Sequence, residues 1–288
     1  MGYRENYFSE RVRQWQLAGW LPPGGRLIDF GAQDFSGDRA AIKNDLAGLG
    51  INIDEPTVAE AYRALGIDYI AIDVDASNGS LFFDLNTQAP PPEWIGAFDM
   101  VNNEGTIEHL ANPMNGLHVA HELVKVGGVV RHSVPMLGHR KHGLFNPTPK
   151  MWSELMLANH YQTLEAFIDF QEDDPSFAYT GFTVRDSNGR PRSTAPASNA
   201  WVALAYRKTR DAPFEIPTDH LLFPLGSVVA DDLRGKFAQW SAARPVAQAS
   251  PLRPSGSAAA SLASIVKFFA WKTSVGFWLG LKSLFPRR

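Results

Sequence analysis

The feature that most constrains the fold of this chain is a series of short apolar segments, most of which end in an acid, an amide or a glycine. Stretches with the apolar spacing of helices separate most of these segments. This alternation predicts a parallel sheet covered by helices, an α/β fold. The five segments are residues 26–31, 69–73, 82–85, 98–105 and 127–135.

Two further apolar stretches after these segments complete the predicted sheet. They are residues 164–170 and 201–207, and residues 171–199 between them are rich in polar and turn-forming side chains. We expect that stretch to be a long loop or hairpin over the site, where substrate choice is often made. The predicted helices span residues 5–18, 37–49, 56–65, 112–125 and 147–159.

The ends of the predicted strands carry polar groups in a consistent place. In open parallel sheets a ligand lies beyond the carboxyl ends of the strands, where the strand order reverses. These ends hold Gly31, Asp73, Asp84, Asn103 and Glu104. Such carboxylates, amides and close-approach glycines are the groups that a nucleoside-bearing cofactor needs.

The bulk composition is that of a soluble globular protein of 288 residues, with 44% hydrophobic and 20% charged residues. The chain has no cysteine, which excludes disulfides and thiolate metal sites and fits a reducing compartment. The polar N-terminal sequence has no apolar core of a signal peptide. We therefore expect a cytoplasmic protein.

The charge is divided unevenly along the chain. The first 232 residues hold 18 basic and 30 acidic residues, whereas the remaining 56 hold nine basic and no acidic residues. Residues 242–260 are rich in Ala, Ser and Pro and indicate a flexible linker. We predict a catalytic domain over residues 1–210, an extension and linker over 211–261, and a basic aromatic tail helix over 262–288.

The tail has two main interpretations. Residues 262–285 carry three lysines and six aromatic residues, which suits a segment at a membrane surface with its lysines toward anionic lipid. The alternative is a helix packed on the domain or on a second subunit. A membrane span is less consistent because the lysines interrupt it, and nucleic-acid binding is disfavoured because the body of the protein is acidic.

The order of these strand ends resembles the class I S-adenosylmethionine-dependent methyltransferases over roughly residues 20–210. Residues 98–146 resemble a bacterial subgroup, through the runs Gly105-Thr106-Ile107-Glu108-His109 and His142-Gly143-Leu144-Phe145-Asn146. The resemblance implies a Rossmann-like sheet of seven mostly parallel strands, the last pair antiparallel, with helices on both faces. It also implies S-adenosyl-L-methionine as the cofactor.

The first turn of the sheet departs from the family pattern. The family has two or three glycines there, whereas this chain has Gly31 followed by Ala32-Gln33-Asp34. The chain also lacks the G-x-G-x-x-G pattern that a pyrophosphate requires, which disfavours a nicotinamide oxidoreductase. A purely structural turn is the alternative interpretation.

The resemblance assigns cofactor roles to particular residues. Asp73 would accept hydrogen bonds from the ribose hydroxyls, with Asp75 as the nearby alternative. Asp84 would accept a hydrogen bond from the exocyclic amine of the adenine, and Leu85 would cover the adenine ring. A solvated strand end or a loop cap is the simpler interpretation of each acid. The complete predicted cofactor set is Asp29, Gly31, Gln33, Asp73, Asp84, Leu85 and Asn103.

Four residues are candidates for the catalytic step: Glu104, His109, His132 and His142. Methyl transfer to a hydroxyl needs alignment of the acceptor and removal of its proton, and a histidine suits that removal. Glu104 would orient or deprotonate the acceptor. The histidines have no zinc-helix spacing, so we expect no metal; structural roles for them are the alternative.

The combined prediction is an S-adenosylmethionine-dependent methyltransferase that acts on a hydroxyl of a sugar, a glycan precursor or another small acceptor. Peripheral contact of the tail with the inner face of the membrane would place it where envelope glycans are assembled. The alternative is a catalytically inactive binding or scaffold protein with the same fold at a membrane surface. No nucleic-acid partner is expected.

Overall fold

The computed structural model describes residues 2–3, 7–75, 78–137, 143–170, 183–185, 188–191 and 200–247. Predictions for His142, the tail over 262–288 and most of the 171–199 loop lie outside these residues. The strands are β1 Gly2–Tyr3, β2 Arg26–Phe30, β3 Asp34–Phe35, β4 Asp68–Asp73, β5 Leu81–Phe82, β6 Phe98–Glu104, β7 Val124–Leu137, β8 Gln162–Phe170, β9 Thr183–Arg185 and β10 Ala200–Arg207. The α-helices are α1 Tyr7–Leu17, α2 Arg39–Ala47, α3 Val58–Ala64, α4 Pro113–Leu123, α5 Pro149–Asn159 and α6 Val228–Ala242.

The main sheet has the strand order β5-β4-β2-β6-β7-β10-β8-β9. Neighbouring strands from β5 to β7 are parallel, whereas β10 is antiparallel to both β7 and β8. The predicted seven-stranded Rossmann-like sheet with an antiparallel last pair is confirmed. The short β9 adds an eighth strand parallel to β8, and β1 pairs with β3 in a separate ribbon that was not predicted.

Helices cover both faces of the sheet, as predicted. The first core cluster contains the buried sides of α1, α2 and α3, and the second contains those of α4 and α5. Leu27 packs in the first cluster, whereas Ile28 and Phe30 pack in the second. Because side chains alternate across a strand, β2 contributes to both cores, and it lies at the centre of the fold.

Capping side chains set the starts of several helices. Thr57 caps α3 in a reciprocal pair with Glu60, and Thr148 caps α5 ahead of Pro149. Both caps lie within one residue of the predicted starts of these helices at residues 56 and 147. Asn112 caps α4 by accepting from the backbone nitrogen of Asn115. These caps satisfy backbone N–H groups that have no partner within the helix.

The C-terminal extension packs on the sheet domain as far as residue 247. The sequence indicated only a connection and a linker here, whereas the structure contains helix α6. His118 stacks on Phe214 with ring centroids 5.0 Å apart, and Lys208 donates to the carbonyl oxygen of His121 at 2.9 Å. The proposed domain boundaries at 210 and 261 stay predictions. None of the described helices is long and apolar enough to span a membrane.

Candidate functional site

A cleft of about 320 Å³ opens at the carboxyl ends of β2, β4 and β6. The chain leaves β2 for β4 on one side, and β6 lies on the other side, so the cleft is at the switch point of the sheet. Its volume is at the lower end of the range of small-molecule sites. The lining residues are Gly31, Ala32, Gln33, Ile72, Asp73, Val74, Phe83, Leu85, Asn86, Gly105, Thr106, His109 and Leu110.

The floor of the cleft is the turn that follows β2. Gly31 has a φ of +80° and donates its N–H to the carbonyl oxygen of Ile72 at 2.8 Å. A Cβ at this position would lie 2.4 Å from Thr106 Oγ1. Only glycine combines that conformation with that close approach to Thr106. The backbone of Gly31 itself lines the cleft.

Asp73 lies at the end of β4 and lines the cleft as predicted. Its carboxylate accepts from the backbone N–H of Ala32 at 3.1 Å and from that of Val74 at 2.7 Å, one on each oxygen. A carboxylate has about four acceptor positions. Asp73 is therefore fixed between two loops and keeps capacity for two further donors, the number that a ribose diol offers.

Gln33 replaces one of the expected glycines and closes one side of the cleft. Its Nε2 donates to the backbone carbonyl oxygen of Glu104 at 3.2 Å. Its Oε1 is buried and has no hydrogen-bond partner. Buried acceptors rarely lack a partner, so this oxygen is suited to a donor that a ligand supplies.

Leu85 lines the cleft, whereas the neighbouring Asp84 does not. The Asp84 carboxylate accepts from Asn86 N at 2.9 Å and from Thr87 Oγ1 at 2.7 Å. Although partial burial opposes the shift, these hydrogen bonds hold the pKa of Asp84 below its usual value. Its contacts are those of a loop cap rather than of the predicted adenine contact.

Asp29 is also placed away from the cleft. It is fully buried among the side chains on the α1 side of the sheet, where Tyr69 donates to Oδ2 at 2.8 Å and Asn102 donates to Oδ1 at 2.7 Å. Burial raises the pKa of Asp29 to about 7. The Asp29 side chain therefore lies in the core and does not line the cleft, and its predicted cofactor contact stays a prediction.

Asn103 shapes the turn behind the cleft. Its Oδ1 accepts from the backbone N–H of Thr106 at 3.2 Å and of Ile107 at 3.1 Å. Its Nδ2 lies 3.0 Å from His132 Nδ1. Asn103 thus fixes the turn that contains Thr106 of the cleft lining without lining the cleft itself, and its predicted cofactor contact stays a prediction.

Glu104 belongs to a buried ionic cluster beside the cleft. Tyr7 donates to its Oε1 at 3.0 Å, and Arg131 donates to its Oε2. Burial raises the pKa of Glu104, but the adjacent Arg131 outweighs this and lowers it overall. Glu104 is therefore an ionised, fully engaged carboxylate, which suits orientation better than the proton removal that the sequence also allowed.

Arg131 is the one charged member of this cluster that the sequence did not indicate. It is 1% exposed and donates to both Asn102 and Glu104, and its Nη2 is buried without a hydrogen-bond partner. Its guanidinium carbon lies 5.8 Å from the ring centre of Trp15. Charged residues are seldom fully buried, so the sequence gives no reason to expect Arg131 inside the protein.

His109 lines the cleft, and half of its side chain (51%) is exposed. Its Nε2 lies 3.8 Å from the buried carboxylate of Glu108. The backbone oxygen of Glu108 accepts from Leu144 N at 2.6 Å and Phe145 N at 2.9 Å. The two sequence runs that carried the resemblance therefore pack against each other next to the cleft.

His132 is in the protein core rather than in the cleft. Its ring centre lies 4.9 Å from that of Trp152, and its Nε2 lies 3.3 Å from the hydroxyl of Tyr206. Burial, together with the charge of Arg131, lowers the pKa of His132 to about 3. A neutral, enclosed histidine fits the structural role that was the alternative for it, and its predicted catalytic role stays a prediction.

Among the described residues, no three histidine and acidic side chains converge to form a metal-binding group. The groups at the cleft instead combine acceptors, an apolar wall and a close-approach turn. Such an arrangement suits an organic ligand with hydroxyl and amine donors and a flat ring.

No protein-family profile and no curated protein matches this sequence. Among solved structures, geranyl diphosphate C-methyltransferase of Streptomyces coelicolor is similar, with 12% identity and a TM-score of 0.40 over 69% of this chain and 77% of that chain. Haemophilus influenzae TehB is 14% identical, with a TM-score of 0.35 over 71% of this chain and 66% of the other. Bacillus subtilis YcgJ is 10% identical, with a TM-score of 0.36 over 70% and 99%.

The architecture follows from the sheet itself. Five parallel strands with a switch point between β2 and β6 continue into an antiparallel pair, β10 and β8, and helices cover both faces. We conclude that this chain has a Rossmann-like fold whose parallel sheet ends in an antiparallel pair.

Proposed function

We propose that this protein is an S-adenosylmethionine-dependent methyltransferase. The observation that carries the proposal is the cleft at the switch point, where the close-approach turn at Gly31, the fixed carboxylate of Asp73 and the unsatisfied Oε1 of Gln33 converge. These three groups offer a backbone contact, an acceptor for a diol and an acceptor for an amine. A nucleoside joined to an amino acid supplies all of the matching groups.

The residues present fit this cofactor. Asp73 would hold the ribose hydroxyls, and Leu85 with Phe83 would form the apolar wall beside the adenine ring. Gln33 Oε1 would accept from the amino group of the methionine portion. The missing glycines after Gly31 do not prevent this, because the Gln33 side chain turns toward the carbonyl oxygen of Glu104.

S-adenosylmethionine supplies an electrophilic methyl group on a sulfonium sulfur. The protein must then align an acceptor and remove its proton. His109 lines the cleft and would take the proton of an acceptor hydroxyl during the transfer, in which the oxygen–methyl bond forms, the sulfur–methyl bond breaks and S-adenosylhomocysteine leaves. Glu108, 3.8 Å from His109, would stabilise the resulting imidazolium.

The acceptor that we propose is a hydroxyl on a sugar, a glycan precursor or another small molecule. His109 at the cleft supports a base-assisted transfer to oxygen. Glu104, paired with Tyr7 at 3.0 Å, is joined to the cleft lining through its backbone oxygen and Gln33, and we assign it a part in orienting the acceptor. Peripheral contact of residues 262–288 with the inner face of the membrane would place the enzyme near lipid-linked glycan intermediates.

Calorimetric titration with S-adenosylmethionine and S-adenosylhomocysteine tests the cofactor. Micromolar binding of both is the expected result, a range common among enzyme ligands (about 1 μM to 1 mM). A folded sample that binds neither contradicts the proposal and favours the scaffold interpretation. Hydride transfer with a nicotinamide would also contradict the proposal and would favour an oxidoreductase.

The proposed base is tested with His109→Gln. On any acceptor that the wild type methylates, kcat should fall by about 10² to 10⁴, the usual contribution of general-base catalysis, while S-adenosylhomocysteine affinity is retained. His160→Asn is the control, since His160 has a φ of +52° that asparagine tolerates and does not line the cleft. Equal kcat values for the two variants would show that His109 is not the base.

The proposed tail contact is tested by deletion of residues 262–288. The shortened protein should leave anionic vesicles in a sedimentation assay and keep its affinity for S-adenosylhomocysteine, because the cleft residues all precede the deletion. If the shortened protein is insoluble instead, the alternative of a helix packed on the protein is favoured.

A further inference from the structure

A single buried arginine connects the C-terminal extension to helix α4. Arg244 follows α6, and its side chain is only 3% exposed. Its guanidinium donates to both carboxylate oxygens of Glu122 at 2.9 Å and to Asn115 Oδ1 at 2.8 Å. Because Glu122 and Asn115 both belong to α4, this one side chain joins the extension to that helix at two points.

Asn115 extends the contact to the wall of the cleft. Its Nδ2 donates to the carbonyl oxygens of Leu85 at 2.8 Å and Gln88 at 3.0 Å. A guanidinium is a donor only, so Arg244 requires the amide oxygen of Asn115 on its side. The amide nitrogen is thereby directed at the carbonyl oxygens, and the orientation of Asn115 depends on Arg244.

A backbone bridge provides a second attachment. The N–H of Ala89 donates to the carbonyl oxygen of Pro245, and the N–H of Ala247 donates to the carbonyl oxygen of Ala89, both at 2.9 Å. We call residues 84–89 the cleft loop, since it includes Leu85 and Asn86 of the cleft lining. Residues 244–247 therefore hold this loop near both of its ends.

We infer that Arg244 is a positioning residue for the cleft, which sets the cleft loop in the conformation that receives the ring-bearing part of the cofactor. The inference rests on the proposed function for the identity of that ligand. It places a determinant of cofactor affinity 37 residues beyond Arg207, the end of the last strand of the sheet. Arg244 acts through Asn115 and does not itself line the cleft.

Hydrogen exchange of the full-length protein without ligand tests the positioning directly. In Arg244→Met, amides of the cleft loop should exchange about tenfold faster or more because local opening becomes easier, while those of residues 98–104 keep their wild-type rates. Wild-type rates in the loop would overturn the inference. A uniform rise over the whole chain would also overturn it, because it would indicate a general loss of stability.

Two further variants test whether Arg244 acts through Asn115 rather than through the loss of any arginine charge near the extension. Asn115→Asp keeps an oxygen for Arg244 but removes the donor to Leu85 and Gln88, so the same local increase in exchange is expected. Arg234→Met is the matched control. Arg234 is an arginine of α6 with a side chain 19% exposed, and it pairs with Glu215 and Asp231, which do not line the cleft. Faster exchange of the cleft-loop amides in Arg234→Met, or wild-type exchange of these amides in Asn115→Asp, contradicts the inference that Arg244 acts through Asn115.

Calorimetry with S-adenosylhomocysteine completes the test. Arg244→Met should bind about tenfold more weakly than wild type, the effect of losing a hydrogen-bonded contact worth roughly 1.4 kcal/mol, whereas Arg234→Met should bind normally. Unchanged affinity despite faster loop exchange overturns the positioning role. If the wild type itself does not bind, the proposed function fails, and the exchange experiment still decides whether Arg244 positions the loop.

Discussion

The hydroxyl group of Thr106 occupies the space that a side chain on Gly31 would need. A Cβ on Gly31 would approach Thr106 Oγ1 to 2.4 Å, and that hydroxyl is held by a 2.6 Å hydrogen bond to the carbonyl oxygen of Phe30. The turn after β2 is thus closed by packing on one side. Its other side faces the cleft, which Gly31 lines with backbone atoms alone.

Gly31→Ala should therefore destabilise the protein more than strain alone would. A left-handed residue with a side chain costs about 1–2 kcal/mol, and forced overpacking adds about 1–3 kcal/mol. Gly19→Ala is the matched control, since Gly19 has a φ of +67° with nothing within 4 Å of the added Cβ. Urea denaturation measures both; equal losses would mean that the contact with Thr106 is unimportant.

The sequence predicted the strand ends better than the directions of their side chains. A parallel sheet covered on both faces has apolar side chains on both sides, so the alternation that normally distinguishes the faces is absent. Asp29 and His132 were accordingly placed at the site, although both point into the core. Gly31 and Asp73 both line the cleft, because Gly31 follows β2 and Asp73 is the last residue of β4, where the chain leaves the sheet.

Helix α6 and its connection to the cleft could not be predicted for a different reason. Among its residues only Ala230 is buried, so α6 lacks the apolar stripe by which an amphipathic helix is recognised. Arg244, which follows α6, is buried and contacts residues more than 120 positions earlier in the chain. Partners so distant leave no local pattern in a sequence.

Asp73→Ala should weaken S-adenosylhomocysteine binding by about 1–3 kcal/mol, the scale for hydrogen bonds to a charged group. The change also removes the acceptor for the backbone N–H groups of Ala32 and Val74. Asp75→Ala is the comparison, because Asp75 is the neighbouring acid and does not line the cleft. Calorimetry that finds the loss in Asp75→Ala instead would move the ribose contact to that residue.

The pair of Glu104 and Arg131 should show strong coupling. Arg131→Met alone leaves the Glu104 carboxylate buried with Tyr7 as a remaining partner, and loss of one member of a buried pair costs about 3–5 kcal/mol. Adding Glu104→Gln removes that isolated charge and should recover much of the loss. Urea denaturation of the two single variants and the double variant measures the coupling. A double variant whose loss of stability equals the sum of the two single losses would mean that the charges are independent.

The buried carboxyl of Asp29 should make stability fall as the pH rises. Burial raises its folded-state pKa to about 7 from the ordinary 3.8, so between these values the folded protein binds a proton that the unfolded chain lacks. The stability that this proton contributes is fully present near pH 4 and is lost by pH 7, with a change of roughly 3 kcal/mol between pH 5 and pH 8.

Asp29→Asn isolates that contribution because asparagine does not titrate. Its amide nitrogen would face either the Tyr69 hydroxyl or the Asn102 amide, two donors, so the variant should be less stable than wild type at pH 5. At pH 8 the wild type carries its buried charge, and the difference between the two proteins should narrow or reverse. Urea denaturation of both proteins at each pH gives the difference in their free energies of unfolding, from which the titration of all other groups cancels. A difference that stays constant or widens toward pH 8 would show that Asp29 is ionised throughout this range in the folded protein.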